Sequence, residues 1–180
     1  MCGRPAGQPA GCSAWEGARA LHFPGGGTGG PSPRWAFPAG EDGAPARLAG
    51  MDWELIERTV ASLHDDEPTF DWVGVYLLDE DTLILGPYRG LPTEHERIPL
   101  GRGVCGSVAA TARTEVVPDV RRRPGHIACD IDTRSEVVAP ILRDGRILGV
   151  LDVDSNTPDA FGAREIQLVE EAAASIAAGA

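Results

Sequence analysis

The sequence predicts an α+β fold, a mostly antiparallel central sheet flanked by N-terminal, middle and C-terminal helices, and three observations carry that prediction. Apolar residues recur at helical spacing in two separated blocks, Trp53, Ile56, Val60 and Leu63, then Ile166, Val169 and Ile176. Between them lie short runs rich in Val, Ile, Leu and aromatic residues, the composition of strands. Four of these runs are joined in pairs through Asp79-Glu-Asp81 and Asp144-Gly145, short polar turns of the kind that close antiparallel hairpins.

Taken in order, residues 1–50 come first and hold 12 of the 23 glycines and 7 of the 15 prolines, in runs such as Pro24-Gly-Gly-Gly and Gly29-Gly-Pro-Ser-Pro33. No helical or strand period persists there, so the segment cannot bury enough surface to offset its ordering entropy and reads as a disordered tail. Cys2 and Cys12 fall within it. Met51 opens the first helix, which Pro68 stops, and a natural translation start at Met51 is expected. Residues 51–180 form the single folded domain. Asp71 to Leu78 and Thr82 to Tyr88 are the strands of the first hairpin. A polar loop from Arg89 to Pro99 leads into Gly101 to Ala112, whose Ala-rich second half reads as a short helix. Thr114 to Val117 is a short strand, and Asp119 to Arg134 has no period. The strands Ser135 to Leu142 and Ile147 to Asp154 make the second hairpin, and an amphipathic helix ends the chain.

Bulk properties exclude several classes of function. A formal net charge of -11 repels phosphate backbones and acidic membrane surfaces, so no nucleic acid or membrane partner is expected. All 16 cations are arginine. No stretch approaches the roughly 18 apolar residues of a membrane span, and no basic region followed by an apolar run marks an export signal. Four cysteines in such a chain point to a reducing, cytoplasmic compartment where thiols are catalytic, metal-bound or inert. With no CxxC and no His pair at ligand distance, a zinc site is not expected.

What remains is a pair of thiols, Cys105 and Cys129, one to react and one to resolve. Cys129 lies in an aperiodic polar segment, which a packed core does not explain. His126, three residues before it, offers either charge for a thiolate or a loop-structuring contact. Cys105, among Val104, Val108 and Ala109, also reads as a small buried hydrophobe. Strand alternation adds geometry. Trp72 and Tyr76 fall on one face of their strand. Asp152 and Asp154 share one face of the last strand, with Leu148 and Val150 expected beside them and Leu151 and Val153 opposite. Glu136 stands in the adjacent strand, so three carboxyls converge and raise one another's pKa, which suits a proton donor. Core packing for the two aromatics and a solvated face for the two aspartates are the plainer readings.

In combination, the segments Asp71-Trp-Val-Gly-Val-Tyr-Leu-Leu78, Leu85-Gly-Pro-Tyr88, Arg97-Ile-Pro-Leu-Gly-Arg-Gly-Val-Cys-Gly106, Gly125-His-Ile-Ala-Cys-Asp130, Ser135-Glu-Val-Val138 and Gly149-Val-Leu-Asp-Val-Asp-Ser155 resemble the free methionine-(R)-sulfoxide reductases, small enzymes built from one GAF domain. The resemblance covers about residues 52–178. It implies that Trp72 and Tyr76 wall the S-methyl group, and that Glu136, Asp152 and Asp154 hold the polar end and supply a proton. It implies that Cys129 attacks the sulfur, that the resulting sulfenic acid condenses with a second cysteine, and that thioredoxin reduces the disulfide, with no metal, flavin or other cofactor. Members of the family pair through their terminal helices, so a homodimer is expected.

The family commonly carries a further cysteine just before the Arg-Ile-Pro motif. Here Leu91-Pro-Thr-Glu-His-Glu-Arg-Ile-Pro99 has His95 in its place, so Cys105 is the internal partner left for Cys129, unless an external thiol serves. Cys129 is favoured as nucleophile because it lies in a loop whereas Cys105 begins a helix; the opposite assignment stays open. A ligand-binding GAF sensor and a Cys105–Cys129 redox switch are the alternatives.

Overall fold

The computed structural model describes residues 50–123 and 132–180. Asp52 caps the first helix, α1 (Trp53–Asp66), by accepting a hydrogen bond from the Leu55 amide at 2.9 Å, and Ile56, Val60 and Leu63 form its buried stripe. Strands β1 (Trp72–Asp79) and β2 (Thr82–Arg89) make the first hairpin. They are followed by β3 (Arg97–Pro99), α2 (Gly103–Thr111), β4 (Glu115–Val117) and a 3-10 turn at Val120–Arg122. Strands β5 (Ser135–Arg143) and β6 (Arg146–Ser155) form the second hairpin, and α3 (Ala163–Ala178) closes the fold.

The strands build one antiparallel sheet in the order β3-β2-β1-β6-β5-β4, so the two hairpins meet along β1 and β6 at its centre. Helices α1 and α3 pack on one face, over Val73, Val75, Leu77, Val137, Leu151 and Val153. The other face carries Trp72, Tyr76, Val138 and Val150 and is covered by α2 through Val104, Cys105 and Val108. A sheet buried on both faces explains the near-continuous apolar runs of β1 and β6.

Three local features depart from the sequence reading. The loop from Arg89 to Pro99 contains β3, whose three residues are too few to show alternation; Ile98 is buried and pairs with Leu83. Helix α2 starts in the glycine-rich half of its segment, because Gly101 (φ +77°) and Gly103 (φ +63°) supply the turn that launches it. Leu148 does not share the face of Val150. The β5–β6 register slips between Ile141 and Leu142, an extra β6 residue enters the ladder, and Leu148 is delivered to the α1/α3 core. The Asp144-Gly145 turn is as expected, with φ of +51° and +74° at its two residues.

Candidate active site

Strand register assembles the site. Across the α2-covered face, Trp72 pairs with Asp154 and Asp154 with Glu136. In the next row of that face, Gly74 pairs with Asp152, Asp152 with Val138, and Val138 with Glu115. Tyr76 follows two residues along β1, opposite Val150. Trp72, Tyr76, Glu136, Asp152 and Asp154 therefore lie on one face, as alternation predicts. The solvated-face reading of the aspartates does not hold: Asp152 and Asp154 are 0% and 1% exposed, and Glu136 is 2% exposed.

The aromatic part is a stack of three rings. Trp72 lies 6.2 Å from Tyr76 and 5.6 Å from Tyr88, with interplanar angles of 29° and 19°. Gly74 makes room for it, since a Cβ there would collide with the far edge of the Trp72 ring. The polar atoms of both ring systems are tied to the loop before β3: Trp72 Nε1 donates to the Leu91 carbonyl at 3.1 Å and Tyr76 Oη to the His95 carbonyl at 3.0 Å. This loop thus straps the aromatic wall through its backbone, and His95 contributes its carbonyl to that strap. Tyr88 sits in a motif the sequence reading quoted without giving it a role; its part in the stack depends on a β1–β2 bulge, where the register slips between Gly74 and Tyr76.

Above the acids stands Cys105, in the first turn of α2 and 3% exposed. Its thiol donates to Asp152 Oδ2 at 3.1 Å, a polar contact that a purely hydrophobic reading of Cys105 did not contain. The Cys105 sulfur and carboxyl oxygens of Glu136 and Asp152 all lie within 4.8 Å of one another. By distance these three could ligate a metal ion, a grouping that ligand spacing in the sequence could not reveal because three separate elements supply it. Its chemistry suits protons equally well: burial pushes the Glu136 carboxyl up to about 8, Arg123 opposes the rise and Glu115 adds to it. Near neutral pH, Glu136 is thus a buried acid that carries its proton.

Arg123 and Glu115, neither expected as site residues, form a half-buried ion pair beside this cluster. Arg123 Nε and Nη2 meet the two Glu115 oxygens at 2.8 and 3.1 Å, and Nη2 approaches Ser107 Oγ at 3.4 Å. Nothing in the local sequence marks this pair, because β4 and the turn before residue 124 are joined only by tertiary structure. Cys129 and His126 lie outside the described residues.

Comparison with known proteins identifies the fold and the family. Residues 54–179 match the GAF domain model. The chain is 42% identical over 120 residues to free methionine-R-sulfoxide reductase of Escherichia coli, covering 67% of each chain. It is 44% identical over 107 residues to the Saccharomyces cerevisiae protein of the same name; there the match covers 57% of this chain and 59% of the yeast protein's length. Among solved structures, free methionine-R-sulfoxide reductase of Neisseria meningitidis, in complex with its substrate, superposes with a TM-score of 0.67 at 40% identity, over 74% of this chain and 80% of that one. No helix among the described residues is long and apolar enough to cross a membrane. By sequence and by fold, the chain belongs to the GAF-domain family and, within it, to the free methionine-R-sulfoxide reductases.

Proposed function

We propose that this protein reduces free L-methionine-(R)-sulfoxide to L-methionine, using two cysteines as the source of electrons. The observation that carries this reading is the buried cluster of Cys105, Glu136 and Asp152 on the same sheet face as the stacked Trp72 and Tyr76. A thiol, a protonated carboxyl and an aromatic wall are what the reaction needs: a partner in thiol chemistry, a proton for the sulfoxide oxygen, and an apolar seat for the S-methyl group. Asp154, paired with Glu136 across the strands, offers carboxyl oxygens that can accept hydrogen bonds from the substrate ammonium group.

In the proposed sequence Cys129 attacks the sulfoxide sulfur as thiolate and forms an S–S bond to it, while Glu136 protonates the sulfoxide oxygen. That oxygen then passes to the Cys129 sulfur as the S–O and S–S bonds to the substrate break, so methionine leaves with its sulfur reduced by two electrons and Cys129 is left as a sulfenic acid. The Cys105 sulfur then attacks the Cys129 sulfur, its proton passes by way of Asp152 to the sulfenic hydroxyl, and that hydroxyl leaves as water as the disulfide forms. Thioredoxin, the expected reductant of the cytoplasm, restores both thiols by exchange. The assignment of Cys105 to the second step rests on its surroundings. Its S–H is engaged by Asp152, and a thiolate there would stand against neighbouring carboxyl groups, even though the N-terminus of α2 favours negative charge. Association of two copies through α1 and α3 belongs to the same reading.

With thioredoxin, thioredoxin reductase and NADPH, the protein is expected to consume NADPH on adding free methionine-R-sulfoxide and not its S epimer; a rate equal to the blank defeats the reading in favour of a ligand sensor or a thiol switch. Without reductant, Cys129→Ser is expected to release no methionine, whereas Cys105→Ser releases one equivalent and stops. The reverse pattern exchanges the two roles.

A further inference from the structure

Three site residues have polar chain neighbours: Asp71 precedes Trp72, Ser135 precedes Glu136, and Ser155 follows Asp154. Through Thr157, these neighbours join in one hydrogen-bonded network at the end of the sheet. We infer that Asp71 is a positioning residue for the reaction: it locks this end of the sheet, so that Trp72 and Asp154 keep the separation that the methyl and ammonium ends of one small substrate require. This rests on the reductase reading above.

The place of Asp71 in the ladder is the first support. β1 begins at Trp72, so the Trp72–Asp154 pair is the last row of the β1–β6 ladder, where strands open most readily. Asp71 closes that end twice. Its amide donates to the Asp154 carbonyl at 3.0 Å. Its carboxylate accepts from the Asn156 amide at 2.7 Å and from Ser155 Oγ at 3.3 Å. The short contact with the amide is charge-assisted and so stronger than a neutral one. The clamp then continues to β5: Ser155 Oγ accepts from the Thr157 amide at 3.2 Å, and Ser135 Oγ donates to the Thr157 carbonyl at 2.6 Å. Ser135 and Ser155 are fully buried, which makes these bonds costly to lose, whereas Asp71 is exposed and can be replaced without opening a cavity. The reacting groups are held further inside. Asp152, with Cys105 bonded to it, belongs to the next row of this face, and the Glu136–Asp154 row is backed by the Ser135–Ser155 row beyond it. Loss of the Asp71 carboxylate therefore frees the groups that seat the substrate more than those that react with it.

The test is steady-state kinetics with free methionine-R-sulfoxide, joined to hydrogen exchange without substrate. Asp71→Ala should raise KM about tenfold, the factor of one lost hydrogen bond, and change kcat by less than about threefold. Asp71→Asn keeps an oxygen to accept from the Asn156 amide and should recover most of the loss. Glu67→Ala controls for destabilisation elsewhere: it removes the carboxyl that Arg164 holds at 2.6 and 2.9 Å between the end of α1 and the start of α3, and should leave KM unchanged. In the exchange measurement, the amide of residue 71 should lose protection in Asp71→Ala and regain it in Asp71→Asn, while the inner rows of β1 keep theirs. An unchanged KM or undiminished protection in Asp71→Ala, a fall in kcat as large as the rise in KM, an Asp71→Asn as impaired as Asp71→Ala, or an equal rise of KM in Glu67→Ala would each overturn the assignment while leaving the reductase intact. Absence of turnover by the unaltered protein would instead remove the reductase reading, and this inference with it.

Discussion

Glu136 shows how much a single position depends on its surroundings. On an exposed strand it would be an ordinary carboxylate; here it is 2% exposed and its carboxyl is pushed from 4.5 up to about 8, mainly by burial. The sign of the linkage follows. The raised pKa contributes stability that is fully present below about pH 4.5 and is lost progressively as the pH climbs through about 8, because the unfolded chain ionises first. Glu136→Gln keeps the shape and removes the titration. Its melting temperature should therefore gain on that of the parent between pH 5 and 8, with the difference levelling above that, as followed by thermal unfolding across the range. Activity should fall by about a hundredfold or more, and the loss of kcat/KM above pH 8 should vanish with the acid that causes it. Alternation made the face of Glu136 legible in the sequence. Its burial was not, because burial depends on α2 crossing above it.

At the scale of elements, β6 is the strand on which the site depends, since it pairs with β1 on one side and β5 on the other. Gly149 sits beside the bulge that turns Leu148 toward the helices, and a Cβ there would run into the Tyr76 carbonyl of β1. Gly149→Ala should force the two central strands apart and lower stability by about 1–3 kcal/mol in urea unfolding, with the rows carrying Tyr76 and Asp152 displaced and KM raised accordingly. An unchanged unfolding midpoint would mean that the strands absorb the methyl group. The hairpins were readable from apolar runs and turn residues, and the terminal helices from their spacing. The bulges, β3 and the true start of α2 were not. A one-residue register slip leaves no periodic trace, a three-residue strand is too short to have a period, and a helix launched from glycines with positive φ begins where propensity argues against it.

At the scale of the whole molecule, the two terminal helices are joined directly. The Asp52 amide donates to the Gly179 carbonyl at 3.0 Å, Met51 is buried in the core beneath α1 and α3, and the sheet rests on both. A protein beginning at Met51 should therefore keep the urea midpoint and full reductase activity of the complete chain. One beginning at Ile56 loses Met51 and the Asp52 cap, and should be less stable by about 2 kcal/mol or more. A large activity loss on removing residues 1–50 alone would give that segment a role beyond a tail.

By itself, the sequence determined the α+β class, the two hairpins, the family, and the sheet face shared by Trp72, Tyr76, Glu136, Asp152 and Asp154. All of these follow from short-range periodicity or from motifs that are contiguous in the chain. Tertiary structure decided what that face is chemically. It set Cys105 against Asp152 across 47 residues, closed the acids off from water, raised the proton affinity of Glu136, and brought Arg123 onto Glu115 at the rim of the cluster. Those properties are set by burial and by distances between elements, and neither quantity is encoded in the spacing of residues along a strand or helix.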